Sequence, residues 1–276
     1  MARHGRGEQR KARRRFELTR RTVLAAGAAL TSALDAQAME GHPMSEAADP
    51  IVELRQYTLY GGRRDTLIEL FEHNFRASQD KVGSQVLGTF RDLDDPDRFV
   101  WLRSFKDMPA RSLALDRFYS GPEWKAHREA ANATMVDSDN VLLLRRLSGG
   151  PWPREERAAG LISAVIHYIG NADAEAFVEY YRRTIEHPMT ESGGSPVAWL
   201  ATHGVPNNFP RLPVREGEKV VVVLSRWSDP SEEQAFQARL AARSGWRDKA
   251  PPELLPAFMR KPERLRLEPT RTSRLR

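Results

Sequence analysis

From position 51 the chain alternates apolar and polar residues with period two through IVELRQYTL (51–59), which predicts a strand. YGGRR (60–64) reads as a turn. Over 65–80, Leu67, Leu70, Phe71 and Phe75 recur at helical spacing. Residues 85–91 read as a second strand, DLDDPD (92–97) as a hairpin turn, and RFVWLRSF (98–105) as a third strand. A helix is expected from about Pro109, a favourable first-turn residue, to about Ser120. Gly121-Pro122 interrupts it, and a second short helix carries Trp124 and His127. NVLLLRRL (140–147) closes the unit as a fourth strand. The order βαββαβ is the ferredoxin-like arrangement.

The pattern then repeats. Shifted by 111 residues, Tyr57 falls on Tyr168, Leu67 on Val178, Gly83 on Gly194 and Val86 on Val197. Shifted by 122, Phe105-Lys106-Asp107 falls on Trp227-Ser228-Asp229, Arg117 on Arg239 and Trp124 on Trp246. The fourth strand falls on PERLRLE (262–268). The difference of eleven residues is an insertion in the loop 203–219, where added length costs little entropy. The chain thus divides into a first unit (51–147), a linker (148–160), a second, diverged unit (161–268) and a tail (269–276). A lone four-stranded sheet with helices on one face leaves its other face bare, and two such sheets cover each other. The expected fold is α+β: two tandem ferredoxin-like units forming an intrachain pseudo-dimeric α/β barrel.

The first unit resembles the NIPSNAP family in IVELRQYTLYGGRRD, GTFRDLDDPDRFVWLRSFKDM, ALDRFYSGPEWKAHR and NVLLLRRL. The ELR-x-Y opening and the W-x-R-x-F strand carry most of the likeness, and the second unit matches in outline. The resemblance implies the dimeric α/β-barrel fold, shared with small monooxygenases, haem-degrading oxygenases and dismutase-like enzymes. It leaves the activity open. Haem degraders of this fold use an asparagine on the first strand. Here that strand offers Gln56 alone, on the opposite face, which argues against haem chemistry.

Charge changes the picture at the N-terminus. The formal net charge is +6, but nine of the 43 Lys and Arg precede position 22, and from Met39 onward 34 basic residues face 34 acidic ones. A neutral body has no electrostatic footprint for nucleic acid. Thr19-Arg20-Arg21-Thr22, an apolar run from Val23 to Leu34 and Ala36-Gln37-Ala38 together read as a twin-arginine-type signal peptide over 1–38, followed by a linker at 39–50. Export to the periplasm or beyond is the expectation, and a start at Met39 or Met44 would make the protein cytoplasmic. No apolar run is long enough to predict a membrane span. There is no cysteine, which excludes disulfides and thiolate chemistry.

The first and third strands are expected to be parallel neighbours at the sheet centre. Alternation puts Glu53, Arg55 and Tyr57 on one face of the first, and Phe99, Trp101, Arg103 and Phe105 on one face of the third. That polar stripe is expected to point into the barrel, with Val52, Leu54, Val100 and Leu102 toward the helices. Glu53, Arg55, Tyr57, Trp101 and Arg103 would then form a ligand site for a small aromatic or anionic molecule. Tyr57 and His167 are the candidates for moving a proton, as in a cofactor-independent monooxygenase-like enzyme. In the second unit the aligned positions are Ala164, Ile166, Tyr168, Val223 and Ser225, so the stripe belongs to the first. The competing reading is a non-catalytic barrel, filled by these side chains, that binds a partner through an exposed patch near Phe118, Tyr119 and Trp124. The outer helices could also carry a homodimer. His73 follows Glu69, and His127 follows Glu123, at i+4. Such pairs are ordinary on helix surfaces, so no metal is assigned. Nucleotide, P-loop, nucleophile-elbow and zincin motifs are missing, and no cofactor is expected.

Overall fold

The computed structural model describes residues 50–148, 152, 160–243, 245, 247 and 249–276. The segment 1–38 expected to be a signal peptide, most of both expected linkers and Trp246 lie outside the described residues. In the first unit, β1 (Ile51–Leu59) leads into α1 (Arg64–Leu70), a π turn (Phe71–Phe75) and α2 (Arg76–Lys81), then β2 (Gln85–Asp92) and β3 (Arg98–Phe105). Helices α3 (Met108–Ser120) and α4 (Pro122–Asn132) precede β4 (Met135–Ser148). Asp107 caps α3 by accepting from the Ala110 N–H, and Pro109 sits in its first turn. The second unit repeats this order with β5 (Leu161–Tyr168), α5 (Ala174–Tyr181), a π turn (Arg182–Glu186), α6 (His187–Thr190), β6 (Ser195–Thr202), β7 (Val220–Trp227), α7 (Pro230–Ala242), α8 (Leu255–Met259) and β8 (Glu263–Pro269).

The eight strands close into one barrel in the order β1-β3-β2-β8-β5-β7-β6-β4. β1 and β3 are the central strands of the first unit, and β1 runs antiparallel to both β3 and β4. The expected parallel pairing of β1 with β3 is therefore corrected. The helical crossover makes β2 run with β1, and the hairpin then reverses β3. The units join at two seams, β2 with β8 and β4 with β6. Beyond β8 the tail continues along β2: the Thr270 N–H donates to Thr89 O at 2.9 Å and the Leu275 N–H to Leu87 O at 2.9 Å.

Side-chain direction along the strands departs from expectation. Val52, Leu54, Val100, Leu102, Leu142 and Leu144 pack in one cluster with Ile162, Ala164, Ile166, Val220, Val222, Leu224, Leu265 and Leu267. All eight strands contribute to it, so it is the barrel interior, filled by aliphatic side chains as eight-stranded barrels allow. Tyr57, Phe99 and Trp101 pack instead with Leu67, Phe71, Phe75 and Phe118 of the helices. The period of two is right and the choice of face is reversed. Buried charges need partners, and here Glu53, Arg55 and Arg103 pair with one another and with Arg111 and Gln79 on the helices above them, not with the facing sheet.

The repeat is also shifted by one residue. Buried Leu67, Ile68, Phe71 and Phe75 correspond to Phe177, Val178, Tyr181 and Ile185, and left-handed Gly83 corresponds to left-handed Gly193, a constant offset of 110. The offset of 111 rested on the Tyr57/Tyr168, Gly83/Gly194 and Val86/Val197 identities. A slip of one residue moves every strand side chain to the other face. The pairings Glu53↔Arg103 and Ser163↔Ser225 place Ser163, Val165 and His167 opposite Glu53, Arg55 and Tyr57 in the repeat, while Val223 and Ser225 remain the counterparts of Trp101 and Arg103.

Candidate functional site

The five stripe residues do come together, between the first unit's sheet and its helices. Glu53 is fully buried, and three buried arginines converge on it. Arg55 Nη1 donates to Glu53 Oε2 at 2.8 Å, Arg103 Nε to the same oxygen at 2.8 Å, and Arg111 Nε to Oε1 at 2.6 Å. Burial pushes the Glu53 carboxyl up, but the guanidiniums, Arg103 foremost, outweigh it and hold the group well below the usual carboxylate range. Burial pulls Arg111 below the ordinary arginine value, Glu53 compensates only in part, and repulsion from Arg103 and Arg55 adds to the fall. Arg111, on α3, escaped the sequence reading. Its position on a helix with no clear apolar stripe gave no signal that it points inward.

The rest of each fork is accounted for unequally. Arg103 Nη1 donates to Gln79 Oε1 on α2 at 2.8 Å. Arg111 Nη1 donates to Asn207 Oδ1 at 3.0 Å and Asn208 Oδ1 at 2.7 Å. Both asparagines lie on the loop inserted in the second unit, so that loop reaches across to close the first unit's site. Asn208 Nδ2 also donates to Met108 O at 2.6 Å, Phe209 stacks on Tyr119, and Arg215 bonds through its N–H to Val141 O. Arg55 donates from Nε to the Tyr57 hydroxyl at 2.9 Å, leaving the phenol proton free to point elsewhere. Its second Nη has no hydrogen-bond partner among the described residues. Two guanidiniums lie near the Trp101 ring, Arg55 at 5.5 Å and Arg103 at 5.0 Å from its centroid, and its buried indole N–H has no partner among the described residues.

Beside these groups is a chamber of about 130 Å³. Arg55, Tyr57 and Trp101 form its floor, and Leu67, Phe71, Phe75 and Gln79 one wall. That wall recurs every four residues. An α-helix turns by 3.6, so four-residue spacing drifts round the helix by about 40° per step. The π turn at Phe71–Phe75 has more residues per turn and counters the drift. Tyr119, Trp124 and Asn132 face it from α3 and α4, and Leu212 comes from the inserted loop. Burial raises the Tyr119 phenol, partly offset by Arg103. Phe118 is buried, Tyr119 packs edge-on against both Phe118 and Trp124, and Tyr119 and Trp124 are half-buried.

His167 does not join the site. It lies in the second unit's helix-side layer, against Phe177 at 5.1 Å and Tyr181 at 5.3 Å, with neither ring nitrogen hydrogen-bonded among the described residues. That layer is packed by Val165, Val223 and Phe258, the last stacked on Phe177 at 4.5 Å. Of the first unit's charged set, Arg111 alone has a charged counterpart, buried Glu233. His73 Nδ1 bonds the Glu69 backbone carbonyl at 2.7 Å, not its carboxylate. Among the described residues no group of three metal-ligating side chains is found, and no helix is long and apolar enough to cross a membrane.

A closed barrel of two ferredoxin-like units, with a charged layer under the helices of one of them, defines a dimeric α/β-barrel protein built within a single chain. Residues 52–148, essentially the first unit, match the NIPSNAP family model. A candidate monooxygenase from Fusobacterium nucleatum subsp. nucleatum superposes with a TM-score of 0.52 at 11% identity, over 80% of this chain and 93% of that one. An anthrone oxidase-like protein gives 0.52 at 10% identity, over 80% and 92%. Both likenesses span the two units and concern the fold. A NIPSNAP-like domain protein from Burkholderia xenovorans is 25% identical over 37% of this chain and 90% of its own, with a TM-score of 0.35. No curated protein matches the chain.

Proposed function

We propose that the NIPSNAP unit binds a small aromatic or anionic molecule, not inside the barrel but in the chamber between sheet and helices, and acts on it as a cofactor-independent monooxygenase-like enzyme. The observation that carries this reading is the chamber itself: about 130 Å³ of open volume beside an Arg55 nitrogen and an indole N–H that have no hydrogen-bond partner among the described residues. Protein interiors are packed to crystal density, and buried donors are almost always satisfied. A void lined by free donors is a place for a guest. Tyr57, held by Arg55, would exchange the proton, and Arg55 would stabilise the oxyanion that forms. On an activated methylene the reaction balances with dioxygen as oxidant. One oxygen atom enters as a carbonyl, the other leaves as water with the two methylene hydrogens, and the substrate supplies all four electrons.

The test is native mass spectrometry and a UV–visible spectrum of protein purified gently from its own host, beside an Ala131→Leu variant. Ala131 is buried and lines the chamber, so the added carbons fill it at a cost of about 1–3 kcal/mol. A small molecule should travel with the native protein and be absent from the variant. A guest retained by the folded variant would place binding elsewhere.

A further inference from the structure

The charged layer under the first unit's helices does not balance. Arg55, Arg103 and Arg111 are each at most 1% exposed, and Glu53 is the carboxylate they share. Their other acceptors are neutral: the Tyr57 hydroxyl, the Gln79 amide and the amides of Asn207 and Asn208. The set therefore carries two uncompensated positive charges away from water. Buried charge of one sign is costly unless paired. The second unit, built on the same plan, holds Ser163, Val165 and Ser225 where the first holds Glu53, Arg55 and Arg103. The fold does not need the charges.

The three arginines also differ in what they have left to offer. Arg103 is engaged by Glu53 and Gln79, and Arg111 by Glu53 and the two loop asparagines, with Arg111 Nη2 left without a hydrogen-bond partner among the described residues. Neither lines the chamber. Arg55 does, with one Nη uncommitted, and the free indole N–H of Trp101 stands on the same floor. The remaining walls near this floor are aromatic: Phe71, Phe75 and Phe118. The volume suits a single ring, since a dry cavity of about 150 Å³ accommodates benzene.

Resting on the ligand reading above, we infer that the chamber selects a one-ring aromatic anion. Its charged oxygen would accept from Arg55 Nη2 and Trp101 Nε1, and its ring would lie among the phenylalanines. The anion supplies the missing negative charge, so binding is coupled to relief of the arginine excess. A neutral ring of the same shape fills the volume without that gain.

The experiment compares benzoate with isosteric benzamide by calorimetry at pH 7 and constant ionic strength, on the native chain and on Arg55→Met. Benzoate should bind roughly tenfold or more tighter than benzamide, as charge-assisted hydrogen bonds exceed neutral ones. In Arg55→Met that preference should vanish. Equal binding of both probes to the native chain would overturn the anion inference and leave the ligand reading standing. Binding of neither would overturn the ligand reading itself. The native-chain comparison decides the matter even if Arg55→Met does not fold.

Discussion

His167 occupies in the second unit the place of Tyr57 in the first, yet it has become a neutral packing residue. Burial, reinforced by Arg264 and Arg247, pulls its pKa down to about 3. In the unfolded chain histidine takes up a proton near pH 6.5, so the folded state loses stability as pH falls from about 6.5 toward 3. Above that window the contribution is fully present. In His167→Phe this proton uptake is gone, and the slope of unfolding free energy against pH should flatten by about 1.4 kcal/mol per pH unit within the window. Urea titrations from pH 4 to 7 read the slope. An unchanged slope would mean that His167 titrates in the folded protein. Which ring faces a helix was not legible from residue type: His167 and Tyr168 are adjacent, and both are plausible at a buried site.

At the scale of elements, the inserted loop at 203–219 is the part that makes the two units unequal. Sequence spacing places it correctly but says nothing of its destination, because its contacts are with residues about 100 positions away. Asn208 both accepts from buried Arg111 and donates to the Met108 carbonyl at the start of α3. Asn208→Ala should destabilise the protein by about 2–4 kcal/mol, one charge-assisted and one neutral hydrogen bond, with a buried guanidinium left short of an acceptor. Equilibrium urea unfolding measures this. A change below about 0.5 kcal/mol would show that the loop merely rests on the site. The π turn at Phe71–Phe75 was likewise invisible in the pattern, since four-residue spacing is common to α-helices and to helices with a π turn.

For the whole molecule, the barrel interior is a mainly aliphatic layer shared between the units. Residues 50–148 expressed alone would expose Val52, Leu54, Val100, Leu102, Leu142 and Leu144 as one face. That fragment should run in size-exclusion chromatography with light scattering as a self-associated species. A stable folded monomer would contradict the mutual covering of the sheets.

Local pattern alone determined the elements, the tandem repeat and the two-sheet architecture, because period-two and helical spacing are written in neighbouring residues. It also brought Glu53, Arg55, Tyr57, Trp101 and Arg103 together, since alternation assigns each to one face of its strand. The tertiary structure decided which face looks at the helices, which register relates the units, and that Arg111, Gln79 and the loop asparagines complete the charged layer. The physical reason is that alternation is symmetric under exchange of faces. Both faces of these strands are buried, so hydrophobicity cannot choose between them. The choice falls to the partners each side chain finds: aliphatic strands across the barrel, or polar groups on helices and a loop distant in the chain.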